Sequence, residues 1–163
     1  MYKAAIDIAN KIDYRGLGTI EFIVDVQSHK EKLPFFFLEM NTRIQVEHPV
    51  TEEIIGMDLV ELQINIAAGK KLDIDNDKLI PRGHAIEARI YAEDPKNDFL
   101  PSPGLIQALN LPKEGRFDFG VRSGDYVSTF YDPMLGKVIV HAHDREEARS
   151  KLISCLEELK IQG

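Results

Sequence analysis

The 163 residues include 44% hydrophobic and 29% charged side chains with only 11 Gly and 8 Pro, which excludes a disordered, fibrous or low-complexity chain. A formal net charge of −7 argues against non-specific binding to nucleic acid or to a membrane surface, since both need a basic face. No apolar run approaches the ~20 residues of a membrane span, and a lone cysteine, Cys155, forms no internal disulfide, so a reducing cytoplasm is expected.

Ala5, Ile8, Ala9 and Ile12 recur at i, i+3, i+4 and i+7, which predicts an amphipathic helix near the start. No capping residue precedes it, so the chain is expected to begin inside a larger protein. Gly16 and Gly18 end the segment. Thr19 to Val26 and Phe35 to Met40 are rich in β-branched and aromatic residues and read as strands. The polar stretch from Gln27 to Pro34 is too short for a parallel crossover, so the two are expected to pair antiparallel. From Glu39 onward, Glu39, Asn41, Arg43, Gln45 and Glu47 alternate with Met40, Thr42, Ile44 and Val46. If that stretch is extended, the polar groups share one face. Asp58 with Glu61 forms a capping box for a helix ending near Gly69.

Residues 70–83 are polar and carry Pro81 and Gly83, which marks a connector and a boundary between a first domain, 1–81, and a second, 82–163. His84 to Ala92 alternates again, with Glu87, Arg89 and Tyr91 opposite Ile86, Ala88 and Ile90. Phe99 to Gly104 reads as a loop. Leu105 to Leu111, Phe117 to Arg122, Tyr126 to Tyr131 and Leu135 to Ala142 read as strands of an antiparallel meander. Asp144 and Glu147 open a last helix whose buried stripe is Ala148, Leu152, Cys155, Leu156 and Leu159. The fold class is therefore α+β.

Glu21, Glu39 and Asn41 offer hard oxygen donors from neighbouring strands. Such donors suit Mg²⁺ or Mn²⁺ rather than zinc, with nucleotide phosphates completing the coordination. Taken alone, Glu21 reads equally well as a solvent-facing strand residue. Glu39 follows an apolar run, where an unpaired carboxylate is costly to bury. Arg43 can grip a carboxylate or phosphate with two prongs, Gln45 adds an amide, and Glu47 can accept a proton.

LEMNTRIQVEHPVTE (38–52), RGHAIEARIYAED (82–94), FLPSPG (99–104) and YDPMLGK (131–137), in this order and spacing, resemble the biotin carboxylases of the ATP-grasp superfamily. The resemblance implies the C-terminal part of an ATP-grasp domain followed by a mainly antiparallel β biotin carboxylase C-terminal domain with a terminal helix. It implies ATP- and bicarbonate-dependent carboxylation of biotin on a carrier domain through carboxyphosphate, with ATP, Mg²⁺ (or Mn²⁺) and biotin as cofactors and substrates. By the same resemblance Glu21, Glu39 and Asn41 hold the metal, and Arg43, Gln45 and the amide of Val46 bind bicarbonate. Glu47 is the general base, Arg89 stabilises the biotin enolate, and Ile23 contacts the adenine. Phe119 and Arg122 match positions of a dimer interface, although Phe119 reads equally well as a core aromatic.

Within the family, GVRSGDYVSTFYDPM is closer to the biotin-containing subunits of acyl-CoA carboxylases, such as those acting on methylcrotonyl-CoA or propionyl-CoA. The implied partners are bicarbonate, a biotin carboxyl carrier domain, a carboxyltransferase and a second copy in a homodimer or larger oligomer. A mitochondrial matrix is implied if the source is eukaryotic. No glycine-rich lid and no ATP-phosphate lysines are present, so the chain is expected to be a fragment, inactive by itself. Two other readings stay open: a different ATP-grasp ligase sharing the metal residues, and a non-catalytic assembly module. His48 and His84 read as hydrogen-bonded histidines beside the motifs. His141 and His143 make at most half a zinc site, and Cys155 reads as a packed thiol.

Overall fold

A computed structural model describes residues 1–28, 32–74 and 79–163. Parts of the 27–34 and 70–83 connections thus lie outside the described residues. The chain divides into two compact units, Met1–His48 with Met57–Lys78, and Pro49–Gly56 with Leu79–Gly163.

In the first unit, α1 (Tyr2–Lys11) starts at Met1 with no side-chain cap. Its chain then turns at Asp13, where the Tyr14 hydroxyl donates to the Leu17 carbonyl at 2.8 Å. Strands β1 (Thr19–Val24) and β2 (Phe35–Asn41) form an antiparallel pair with a bulge beside Glu21 and Phe22. The Phe22 and Phe35 rings meet edge to face on one side of the pair, 5.3 Å apart. The other side carries Glu21, Glu39 and Asn41 at one end and Ile23 with Phe36 at the other, because directly opposed residues share a face. Helix α3 (Leu59–Ala67) begins where the Asp58 carboxylate accepts from the Glu61 amide at 2.8 Å, which satisfies one orphan donor of the first turn.

The alternating stretch after Glu39 does not stay extended. Strand β2 ends at Asn41, Val46 and Glu47 lie in a turn, and α2 (His48–Ile55) follows. Two local features turn the chain. The His48 amide donates to the Gln45 carbonyl, and Pro49 sits in the first helical turn, where a missing N–H costs nothing.

In the second unit, β3 (His84–Tyr91), β8 (Arg116–Phe119) and β10 (Met134–Ala142) form an antiparallel sheet in the order β3-β10-β8. The last long strand therefore lies in the middle, and the expected meander is not formed. It takes that place because Val138, Ile139 and Val140 are its most apolar run and need neighbours on both edges. The connecting segments are shorter than expected. Strand β4 (Glu93–Asp94) pairs with β5 (Leu100–Pro101), so part of FLPSPG is strand rather than loop. Strand β6 (Gly104–Leu105) pairs with β9 (Tyr126–Val127), and β7 (Ala108–Asn110) pairs with β11 (Lys160–Gln162).

The sheet has two unlike faces. Ile86, Ile90, Val138, Val140, Ala142, Phe117 and Phe119 pack with Ala148, Cys155, Leu152 and Leu159 of α4 (Arg145–Glu158) and its end, forming the core. Fully burying a large side chain such as Val138 or Val140 is worth about 1.5–3 kcal/mol, and the partly buried residues contribute less. The expected stripe holds except at Leu156, which is 38% exposed. Asp144 caps α4 by accepting from the Glu147 amide at 2.9 Å, while the Glu147 carboxylate takes the His143 amide at 3.2 Å. The opposite face carries Glu87, Arg89, Lys137, Ile139, Arg116 and Asp118. Two glycines are required here. Gly83 has φ +66° and lies where a Cβ would come within 2.2 Å of the Ala142 carbonyl oxygen. A Cβ on Gly136 would meet Phe119 at 2.5 Å.

Candidate active site

The hairpin brings Glu21 opposite Glu39. The Asn41 amide nitrogen donates to Glu21 Oε1 at 2.9 Å and to Glu39 Oε1 at 3.1 Å. Gln45 Nε2 adds a longer bond to the same Glu21 oxygen at 3.3 Å. Four of the sequence-derived residues are thus joined in one hydrogen-bonded cluster. Among the described residues no group of three or more His, Cys, Asp or Glu side chains is placed to hold a metal. The set is two carboxylates and an amide. That is the short, hard-oxygen set to which Mg²⁺ or Mn²⁺ adds phosphate and water ligands, so the residues fit such an ion. Like charges held directly opposite on a strand pair also favour a cation between them.

Arg43 is exposed, and its guanidinium donates to the Ile44 carbonyl at 3.1 Å. Gln45 and Val46 are half-buried and Glu47 is exposed, all on the turn into α2. His48 is hydrogen-bonded through Nδ1 to the Gln45 carbonyl at 2.8 Å, which fixes the turn that carries these groups. Ile23 is exposed on the same hairpin face as the carboxylates, and Phe36 is its partner on β2. That face therefore runs from an apolar end to a carboxylate end.

Arg89 is in the second unit, exposed on β3 and paired in register with Lys137. Phe119 packs on the core, whereas Arg122 is exposed and 3.7 Å from Asp125. His141 Nε2 bonds the Arg82 carbonyl at 2.8 Å, and exposed His143 pairs with Asp144, so these histidines converge on no common point. Cys155 is buried and donates to the Glu114 carbonyl at 3.3 Å, and burial pushes its thiol pKa up. It is a packing residue.

The sequence reading missed an ionic network. Arg116 binds Asp118 with two prongs, at 3.1 and 2.9 Å, and reaches Glu52 of α2 at 2.7 Å and Glu53 at 3.5 Å. Lys137, only 8% exposed, lies 3.9 Å from Asp118. The Asp118 hydrogen bond, then Glu52, holds the Arg116 guanidinium well above its ordinary pKa. The available signals were the lone lysine inside MLGKVIVHA and the alternating RFDF.

Residues 87–163 match the biotin carboxylase C-terminal domain, and residues 1–75 match the carbamoyl-phosphate synthase L chain ATP-binding domain. The chain is a homologue of part of the biotin carboxylases. It is 51% identical over 163 residues to biotin carboxylase 2 of Bacillus subtilis (strain 168), covering 99% of this chain and 35% of that protein. It is 49% identical over 164 residues to the mitochondrial methylcrotonoyl-CoA carboxylase subunit alpha of Mus musculus, covering 99% of this chain and 22% of that one. Among solved structures, the biotin carboxylase domain dimer of the Hydrogenobacter thermophilus 2-oxoglutarate carboxylase aligns with a TM-score of 0.89 at 43% identity, over 98% of this chain and 34% of that one. That structure is a complex with MgADP, ADP and bicarbonate. The chain thus spans roughly a fifth to a third of the length of these biotin carboxylase relatives. The fold is the α+β biotin carboxylase fold of the ATP-grasp type.

Proposed function

We propose that this chain supplies the metal, bicarbonate and biotin residues of a biotin carboxylase, an ATP-dependent ligase that carboxylates biotin on a carrier domain. The observation that carries this reading is the cluster in which Asn41 bridges Glu21 and Glu39, with Gln45 closing on Glu21 just before the 46–47 turn. Residues 1–81 act as the ATP-grasp portion and 82–163 as the biotin carboxylase C-terminal domain.

Glu21, Glu39 and Asn41 hold a Mg²⁺ or Mn²⁺ ion, which offsets the negative charge of the nucleotide phosphates when bound. Ile23 gives the adenine an apolar contact. Arg43, Gln45 and the Val46 amide hold bicarbonate, and Arg43 swings from the Ile44 carbonyl to do so. Glu47 takes the bicarbonate proton, and the freed oxygen attacks the γ-phosphorus of ATP, releasing ADP and forming carboxyphosphate. Carboxyphosphate breaks into CO₂ and phosphate, the phosphate takes the proton of the biotin ureido nitrogen, and that nitrogen attacks the carbon of CO₂. The ureido oxygen gains negative charge as that nitrogen loses its proton, and the fixed guanidinium of Arg89 stabilises it.

The carboxyl group passes on from biotin at a carboxyltransferase, in an acyl-CoA or related carboxylase. Two copies associate through the rim around Phe119, with Arg122 as its exposed charge. No helix among the described residues is long and apolar enough to cross a membrane, which accords with a cytoplasmic or matrix enzyme. The 163 residues alone turn over no ATP, because a lid over the nucleotide is needed to exclude water.

The test is a chimera in which this chain replaces the equivalent residues of B. subtilis biotin carboxylase 2. Bicarbonate-dependent ATP cleavage stimulated by free biotin is expected. Cleavage indifferent to biotin would instead favour another ATP-grasp ligase.

A further inference from the structure

We propose that Glu52, Arg116, Asp118 and Lys137 form a positioning relay that fixes the helix following Glu47 to the strand pair carrying Arg89. The inference rests on the biotin carboxylase reading above. Each link lies in the second unit. The Glu52 carboxylate is 7% exposed, on α2, five residues beyond Glu47. It accepts from Arg116 at 2.7 Å, and Arg116 holds Asp118 bidentately on the same strand. Asp118 is opposed by Lys137 in the β8–β10 register, and Lys137 is opposed by Arg89 in the β3–β10 register. A second tie, from the Arg82 amide to the Ile54 carbonyl at 2.8 Å, holds the end of the same helix.

The chemistry explains why the relay is ionic. Burying the charges of Glu52 and Lys137 is costly, and each is retained because it is paired. An apolar contact of equal size would hold α2 as firmly but would let it slide. Charge-assisted bonds to a planar guanidinium have one favoured geometry. Alternating signs along the relay, Glu52⁻, Arg116⁺, Asp118⁻ and Lys137⁺, also place a cation beside Arg89. Lys137 stands directly opposite Arg89 in the β3–β10 register. Glu52, Arg116, Asp118 and Lys137 touch no substrate in this account. Within the second unit they hold α2, the helix that follows Glu47, to the sheet that carries Arg89.

The decisive quantity is the coupling ratio, the biotin carboxylated per ATP cleaved, measured in the B. subtilis chimera. Misplacing one half-reaction from the other costs carboxyl transfer but not bicarbonate-dependent ATP cleavage. E52Q and R116M should each lower the ratio roughly tenfold, the scale of a small misplacement of reacting groups. R116K, which keeps the charge but not the two-pronged geometry, should recover only part of it. The double variant E52Q/R116M should lose no more than R116M alone, because Glu52 acts through Arg116. A merely structural role would reduce both rates in proportion and leave the ratio unchanged, since it depends on no measure of folded enzyme. A ratio within about twofold of the parent in E52Q and in R116M overturns the relay, as do additive losses in the double variant. If R116M fails to fold, E52Q and R116K decide. A parent chimera without biotin-stimulated ATP cleavage would instead refute the functional reading.

Discussion

Glu21 and Glu39 stand directly opposite each other on the β1–β2 pair, and the single amide nitrogen of Asn41 donates to both. Asn41 does for this pair what a cation would do: it supplies positive hydrogen-bond density between two carboxylates. To ligate a metal, the amide must rotate and present its oxygen. Metal binding at the proposed site would therefore exchange one hydrogen-bonding pattern for another. Replacing Glu39 by Gln should act in opposite directions on two measurements. In metal-free buffer the like-charge opposition is removed, so urea unfolding of the chain should show a gain of about 0.2–1 kcal/mol. Titration with Mn²⁺, followed by water-proton relaxation, should show weaker binding. A loss of stability without metal, or an unchanged Mn²⁺ titration, contradicts the assignment.

Glu47 is exposed on the turn between Gln45 and α2. Its replacement by Gln preserves shape and removes the proton acceptor. General-base loss costs about 10²–10⁴ in rate. Bicarbonate-dependent ATP cleavage by the chimera should fall by that order while ATP affinity stays close to the parent's. A rate within a few-fold of the parent would rule Glu47 out as the base.

Arg89 projects from β3 beside Lys137, on the face opposite the core. Arg89→Ala should impair carboxyl transfer to biotin by about 10²–10³, the cost of one lost oxyanion donor. Bicarbonate-dependent ATP cleavage should be affected far less. Equal losses in the two assays would make Arg89 a nucleotide or structural contact.

The start of α4 sets an acid limit. The Glu147 amide holds the Asp144 carboxyl below its usual 3.8. Lys151, then the His143 amide, lowers Glu147 below 4.5, and Arg149 does the same for Glu146. A lowered folded-state pKa means stability that is complete above the unfolded value and is lost as pH falls through the folded one. Unfolding midpoints should thus be level above about pH 4.5 and decline below it. The ion-pair parts at Glu146 and Glu147 are exposed and should fade in high salt. Asp144→Asn keeps a cap but cannot titrate. Its midpoint should fall less steeply below pH 4.5 than the parent's, as read by circular dichroism, and an identical slope would refute the cap's part in acid sensitivity.

The local motifs were legible because they depend on near neighbours. The capping pairs Asp58–Glu61 and Asp144–Glu147 were read from three-residue spacings, and both form. The alternation of His84 to Ala92 gave β3 its two faces correctly, and the short link after β1 implied the antiparallel pair that sets Glu21 against Glu39. Helix α2 was not read, because the polar alternation from Glu39 to Glu47 carries a strand's period. The Pro49 turn and the burial of Glu52 outweigh that period.

By itself, then, the sequence determined the two antiparallel regions, the caps, and which side chains of β1, β2 and β3 share a face. Each follows from a two-residue alternation, a three-residue capping spacing or a short connection along the chain. Only the tertiary structure decided that β10 would sit between β3 and β8, that Arg116 would reach Glu52, and that Lys137 would stand beside Arg89. These partners are far apart in sequence, and no local period records a pairing chosen by which apolar faces bury each other best.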